Sequence, residues 1–151
     1  MSVLAKKRNE SRALYVTKAD EVYIETIRFL TRLSNRYSRL IAEPIAELAG
    51  EVVDNAEKAN SIFPAGKMKK EKREGYLTEA LASLHALDVR LSHAYTIMMW
   101  NPQGCFADTN ISQKNNTDAV IRLDRMAEKL GALIDEEDRL IKAIIESDKS
   151  R

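Results

Sequence analysis

The chain has one cysteine, three prolines, five glycines and 6% aromatic residues among 151. The lone thiol, Cys105, excludes an internal disulfide and points to a reducing compartment. So few breakers argue against a turn-rich β fold and leave room for long helices. No stretch approaches the ~18 apolar residues that a membrane span needs. The opening Met1-Ser2-Val3-Leu4-Ala5-Lys6-Lys7-Arg8 lacks the apolar core of a secretory signal. The expectation is a cytoplasmic protein with no membrane contact. A large excess of one charge is also missing. With 24 Lys and Arg against 23 Asp and Glu the net charge is +1, unlike a protein that coats polyanions over its whole surface. Charge is uneven, however: residues 1–43 carry nine basic against five acidic residues, and residues 44–66 carry one against four.

What is present is apolar spacing of helical period. From Leu77 the apolar residues fall at Ala80, Leu81, Leu84, Leu87, Leu91, Ala94, Tyr95 and Met98, one stripe on a helix spanning 67–100. Glu79, Ser83 and Arg90 lie off that stripe. An earlier helix, from about Ser11 into the mid-thirties, has an inner face of Val16, Ala19, Tyr23, Ile27, Leu30 and Leu33, with a weak point or turn at Asn35 to Ser38. A second carries Ile41, Ile45, Leu48, Val52, Ala56, Ala59 and Ile62, with Pro44 in its first turn, and ends at Phe63-Pro64-Ala65-Gly66. The last, capped by Ser112 or Thr117, repeats Val120, Leu123, Ala127, Leu130, Ile134, Ile141 and Ile144, and Glu137 interrupts the series once. Residues 101–114 form a long loop, residues 1–11 a flexible basic arm and residues 147–151 a tail. Four amphipathic helices with mostly short connections predict an all-α, antiparallel up-down-up-down four-helix bundle, with residues 1–151 as one domain.

Chemistry-bearing motifs are scarce. A di-iron bundle uses Glu-x-x-His pairs, but Ala82 stands three before His85 and Arg90 three before His93. Cys105 has no histidine near it in sequence, and the run Asp135-Glu136-Glu137-Asp138 reads as an attractor of divalent cations or, as most such runs are, a solvated helix face. No catalytic residue, metal site or cofactor is expected.

The sharper feature is a pair of charge stripes. Arg28, Arg32, Arg36 and Arg39 are spaced 4-4-3, and Glu43, Glu47, Glu51 and Asp54 repeat that spacing with opposite sign. At about 100° per residue each set stays within an ~80° arc of a continuous helix, pointing away from its apolar face. Two solvated faces, a phosphate-binding face and a charge-matched contact between subunits are all compatible with this pattern. Lys69, Lys70, Lys72 and Arg73 add a second basic group where the third helix opens.

Met1-Ser2-Val3 with Arg8-Asn9-Glu10-Ser11, Thr26-Ile27-Arg28-Phe29-Leu30, Ala59-Asn60 and the closing Glu146-Ser147-Asp148-Lys149-Ser150-Arg151 resemble the accessory variability determinant (Avd) proteins of bacterial diversity-generating retroelements. These belong with the four-helix bundles encoded in 23S ribosomal RNA intervening sequences. The resemblance implies a non-enzymatic homo-oligomer, typically a pentamer. It would bind the reverse transcriptase and RNA or an RNA–DNA hybrid in support of mutagenic reverse transcription. Members of this kind are distinctly basic, and this chain is nearly neutral, so a local basic face is the candidate: Arg28, Arg32, Arg36 and Arg39, with Lys69, Lys70, Lys72 and Arg73. Glu43, Glu47, Glu51 and Asp54 are the candidate subunit contact. The competing reading is a homo-oligomeric protein–protein adaptor bundle of a mobile element, without a nucleic-acid role.

Overall fold

A computed structural model describes residues 13–100 and 113–150, of which 113–116 by backbone alone. Among the described residues the long elements are four helices: α1 (Leu14–Leu30), α2 (Glu43–Asn60), α3 (Lys67–Trp100) and α4 (Gln113–Lys149). They share one apolar core, and each packs on two neighbours: α1 and α3 both lie against α2 and α4. On α3 and α4 the partners run in opposite order, Arg73 with Asp148, His85 with Asp138 and Tyr95 with Asp124. On α1 and α4 they are Lys18 with Glu136 and Glu25 with Lys129.

The α3 stripe is as its spacing predicts, with Leu77, Ala80, Leu84, Leu87, Leu91, Ala94 and Met98 buried. Full burial contributes about 1.5–3 kcal/mol for each leucine-sized side chain, so this stripe anchors the core. Ser83, placed off the stripe by spacing, is buried as well. Its hydroxyl donates to Glu51 Oε2 at 2.9 Å across the α2–α3 seam, which satisfies the group.

The inner face of α1 is rotated from the expected one. Val16, Ala19 and Leu30 are buried with Val22, Thr26 and Phe29, whereas Tyr23 is 38% exposed. Thr26 sits in the middle of this arc. A polar residue there hides the seam from any reading that follows apolar residues alone.

The first helix also ends earlier than the mid-thirties. The Thr31 hydroxyl donates to the Arg28 carbonyl at 2.6 Å, and the amides of Arg32 and Leu33 bond to carbonyls only three residues back. This tightened turn seats Leu33 in the core, 4% exposed. Ser34 is extended, and a new helical turn begins at Asn35. The turn therefore lies at 31–34, and Asn35 opens a helix instead of closing one. Asn35–Tyr37 is a short helical turn, followed by a π-helix over Ser38–Ala42 that leads into α2. Pro44 explains the widening: with no N–H to give and a ring that crowds the carbonyl four residues back, it does not fit an unbroken α-helical ladder.

Gly66 has φ +84°, the left-handed conformation that glycine adopts freely, and its carbonyl accepts the Lys70 amide as α3 begins. At the other end of the chain α4 is already helical at Gln113, so Thr117 lies inside it. Ser112, Cys105 and most of the 101–114 loop fall outside the described residues, as does the 1–11 arm. The expected 147–151 tail is helical through Lys149, and Asp148 is buried.

Candidate nucleic-acid interface

The four candidate arginines do not share a helix. Arg28 closes α1, Arg32 stands in the turn, Arg36 in the helical turn that follows and Arg39 in the π-helix. The turn at Thr31 breaks the 4-4-3 stripe, so the four do not line up along one helix face. Instead they surround the α1–α2 corner. Arg28 Nη1 is held by Glu25 Oε1 at 2.7 Å, a carboxylate that Lys129 shares at 3.1 Å; the Arg28 side chain is still 64% exposed. Arg36 and Arg39 are exposed and, with Asn35 and Leu40, line a shallow depression of about 520 Å³.

Leu40 continues into a second cleft of about 250 Å³, whose far wall on α3 carries Arg90 and His93. Leu40 is 71% exposed, and Arg90 and His93 are exposed too. Four nitrogen-bearing side chains from three elements thus flank one apolar residue. Arg90 and His93 were not singled out from the sequence as contacts. Their i, i+3 spacing on one helix was visible, but not that α3 brings them to the arginine corner.

The lysine group lies at the opposite end of the bundle. Lys69 and Lys72 are exposed at the start of α3, some 18 residues, or roughly 27 Å of helix, before Arg90. The two basic groups therefore do not form one site. Arg73 leaves the group altogether. Its Nε donates to Asp148 Oδ2 at 2.6 Å and its Nη1 to the Ile62 and Ala59 carbonyls at 3.0 and 3.3 Å, with the side chain only 11% exposed. Nε and Nη1 are thus engaged inside the fold, which sets Arg73 apart from the exposed cations around it.

Glu43, Glu47, Glu51 and Asp54 do share α2, and all four are exposed. They do not share surroundings. Glu51 is turned to α3 by Ser83, whereas Asp54 borders a groove against α1.

Three further polar features belong to the interior and the seams. Glu137, the interruption in the α4 series, is 0% exposed, and among the described residues neither carboxyl oxygen has a hydrogen-bond partner. Burial pushes its carboxyl up to about 8, against the pull of Lys18. Lys18 itself is held above its ordinary range by its hydrogen bond to Glu21, with Glu136 adding to the effect. On the α3–α4 surface, His85 and Lys142 both reach Asp138, at 2.7 and 2.8 Å. Partial burial raises the Asp138 carboxyl, but these two bonds outweigh it and hold the group below its usual range. Among the described residues no group of three or more His, Cys, Asp or Glu side chains is arranged to hold a metal ion, and no helix is long and apolar enough to cross a membrane.

Comparison with known protein families, curated proteins and solved structures finds no match.

Proposed function

We propose that this chain is a non-enzymatic, cytoplasmic accessory protein of the Avd kind: an antiparallel up-down-up-down four-helix bundle that assembles into a homo-oligomer, a pentamer by resemblance, and holds RNA or an RNA–DNA hybrid for a reverse transcriptase. The opposed order of side-chain partners along α3 and α4, and along α1 and α4, supports the antiparallel arrangement. The exposed Glu43 and Glu47 support a charged subunit contact on the outer face of α2, with Glu51 and Asp54 at its edges.

One observation carries the nucleic-acid reading: Arg36, Arg39, Arg90 and His93 are exposed together around Leu40 at one corner. A guanidinium holds a phosphate with two parallel hydrogen bonds, and three of them on three elements suit a folded backbone better than a straight one. Arg28 and Arg32 extend the surface along the turn, and Lys69, Lys70 and Lys72 form a separate and weaker contact at the far end.

The test is binding to structured RNA and to an RNA–DNA hybrid as a function of salt. With four phosphates neutralised, log affinity falls against log salt with a slope of roughly −3 to −4. Arg36→Glu with Arg39→Glu flattens that slope and weakens all sequences alike. Unchanged binding in that variant moves the site elsewhere. No binding by the unaltered protein, even at low salt, leaves the adaptor reading in its place.

A further inference from the structure

Trp100, the only tryptophan of the chain, ends α3 with 83% of its surface in water. At that exposure the indole adds little to the packing of the bundle.

Its place on α3 is informative. Arg90, His93, Ile97 and Trp100 follow one another at intervals of three, four and three residues. At about 100° per residue they stay within an ~80° arc and span roughly 15 Å of the helix. The first three help form the α3 wall of the cleft that Leu40 joins to the arginine depression. The indole therefore extends the face of the arginine corner beyond its cations.

Charge and shape then limit what lies there. Arg36 and Arg39 stand beyond Leu40, and none of the described residues lining the cleft or the depression is acidic. Such a surface favours a polyanion over an uncharged apolar partner. Phosphates alone give no use to an exposed indole. In a duplex the base faces are hidden in the stack, whereas an unpaired nucleotide shows one to an aromatic ring beside cations. We propose that Trp100 is a stacking platform for an unpaired nucleotide, whose strand runs back with its phosphates on Arg90, Arg36 and Arg39. This inference rests on the nucleic-acid reading and narrows it: the preferred ligand carries a single-stranded end beside its paired part.

The single tryptophan is its own reporter. Three RNAs are compared: a blunt hairpin, the hairpin with a short single-stranded tail, and that tail with abasic sites in place of its bases. The tail is made once as RNA and once as DNA; a gain with either upholds the stack, and the tighter one names the strand. The tailed hairpin quenches Trp100 emission and binds about fivefold to a hundredfold tighter than the blunt one, the range of one stacked base. The abasic tail, with the same phosphates, gives no quenching and loses most of that gain. Trp100→Leu removes the gain but leaves blunt-hairpin affinity, salt slope and melting temperature as they were, and Trp100→Phe restores much of it. The abasic comparison uses the unaltered protein, so it decides even where a variant folds poorly. Equal affinity for the tailed and abasic RNAs overturns the proposal and leaves the phosphate reading standing. An undiminished gain in Trp100→Leu does the same, and frees the indole for a protein partner. A lower oligomer mass in Trp100→Leu also overturns it, by making Trp100 a contact between copies. No binding of any of the three RNAs, even at low salt, overturns both readings.

Discussion

Arg73 Nε donates to Asp148 Oδ2 at 2.6 Å, while Nη1 reaches the Ile62 carbonyl at 3.0 Å, so one guanidinium joins the start of α3 to the ends of α2 and α4. Both ionic side chains are about nine-tenths buried. Removing one member of such a pair leaves the other charge uncompensated, whereas removing both is far milder.

Arg73→Met or Asp148→Leu alone is therefore expected to destabilise the fold by about 3–5 kcal/mol. The double replacement should recover much of that loss. Urea titration of the four proteins checks it; additive single losses in the double variant would show that the two side chains act independently.

Glu137 predicts a pH dependence. Its carboxyl is pushed up to about 8 in the fold from 4.5 when free, so between those values the folded chain keeps a proton that the unfolded chain has released. Stability is then fully present below about pH 4.5, falls as pH rises to about 8 and is level beyond, by at most about 1.4 kcal/mol per pH unit. Glu137→Gln keeps the shape without the titration and should flatten the profile. Denaturation at pH 5 and pH 8 decides it, and an equal slope in the variant would assign the effect to another group.

Gly131 lies inside α4, and among the described residues nothing comes within 4 Å of the place a Cβ would take. Gly131→Ala should raise stability by about 0.5–1 kcal/mol through helix propensity alone. A lower melting temperature would mean that the position is crowded in a way the static fold does not display.

Light scattering should give a mass several times that of the chain at micromolar concentration. Glu43→Lys with Glu47→Lys should lower it, because these exposed carboxylates carry the proposed contact. A monomer across that range rules the assembly out.

The sequence was most readable where one apolar stripe meets the core directly. The α3 stripe from Leu77 to Met98 and its bounds at Lys67 and Trp100 follow from spacing and flanking breakers alone. Reading failed where a polar residue is buried or a partner is distant. Thr26 and Ser83 sit inside faces that hydropathy divides elsewhere. Arg73 looked like one of a run of exposed cations because Asp148, its partner, is 75 residues away. The arginine stripe assumed an unbroken helix, and no strong breaker marks Thr31 to Ser34. There the turn is set by Leu33 entering the core, a tertiary demand that local propensity does not contain. Glu137 was visible as an interruption of the α4 series, but the spacing gave no sign that it is sealed in with no hydrogen-bond partner among the described residues.

The ion pair at Arg73 has a mechanical consequence. Tyr15, near the start of α1, bonds to Asn60 at the end of α2 and lies in the electrostatic reach of both Arg73 and Asp148. The first and last helices are thus fastened at the same end of the bundle. Tension applied to the two ends of the chain would load this one corner and peel α1 and α4 away turn by turn, since no whole helix has to slide past another. In single-molecule pulling the protein should yield at low force, with the first break at the Arg73–Asp148 pair and the arginine corner at the far end holding longest.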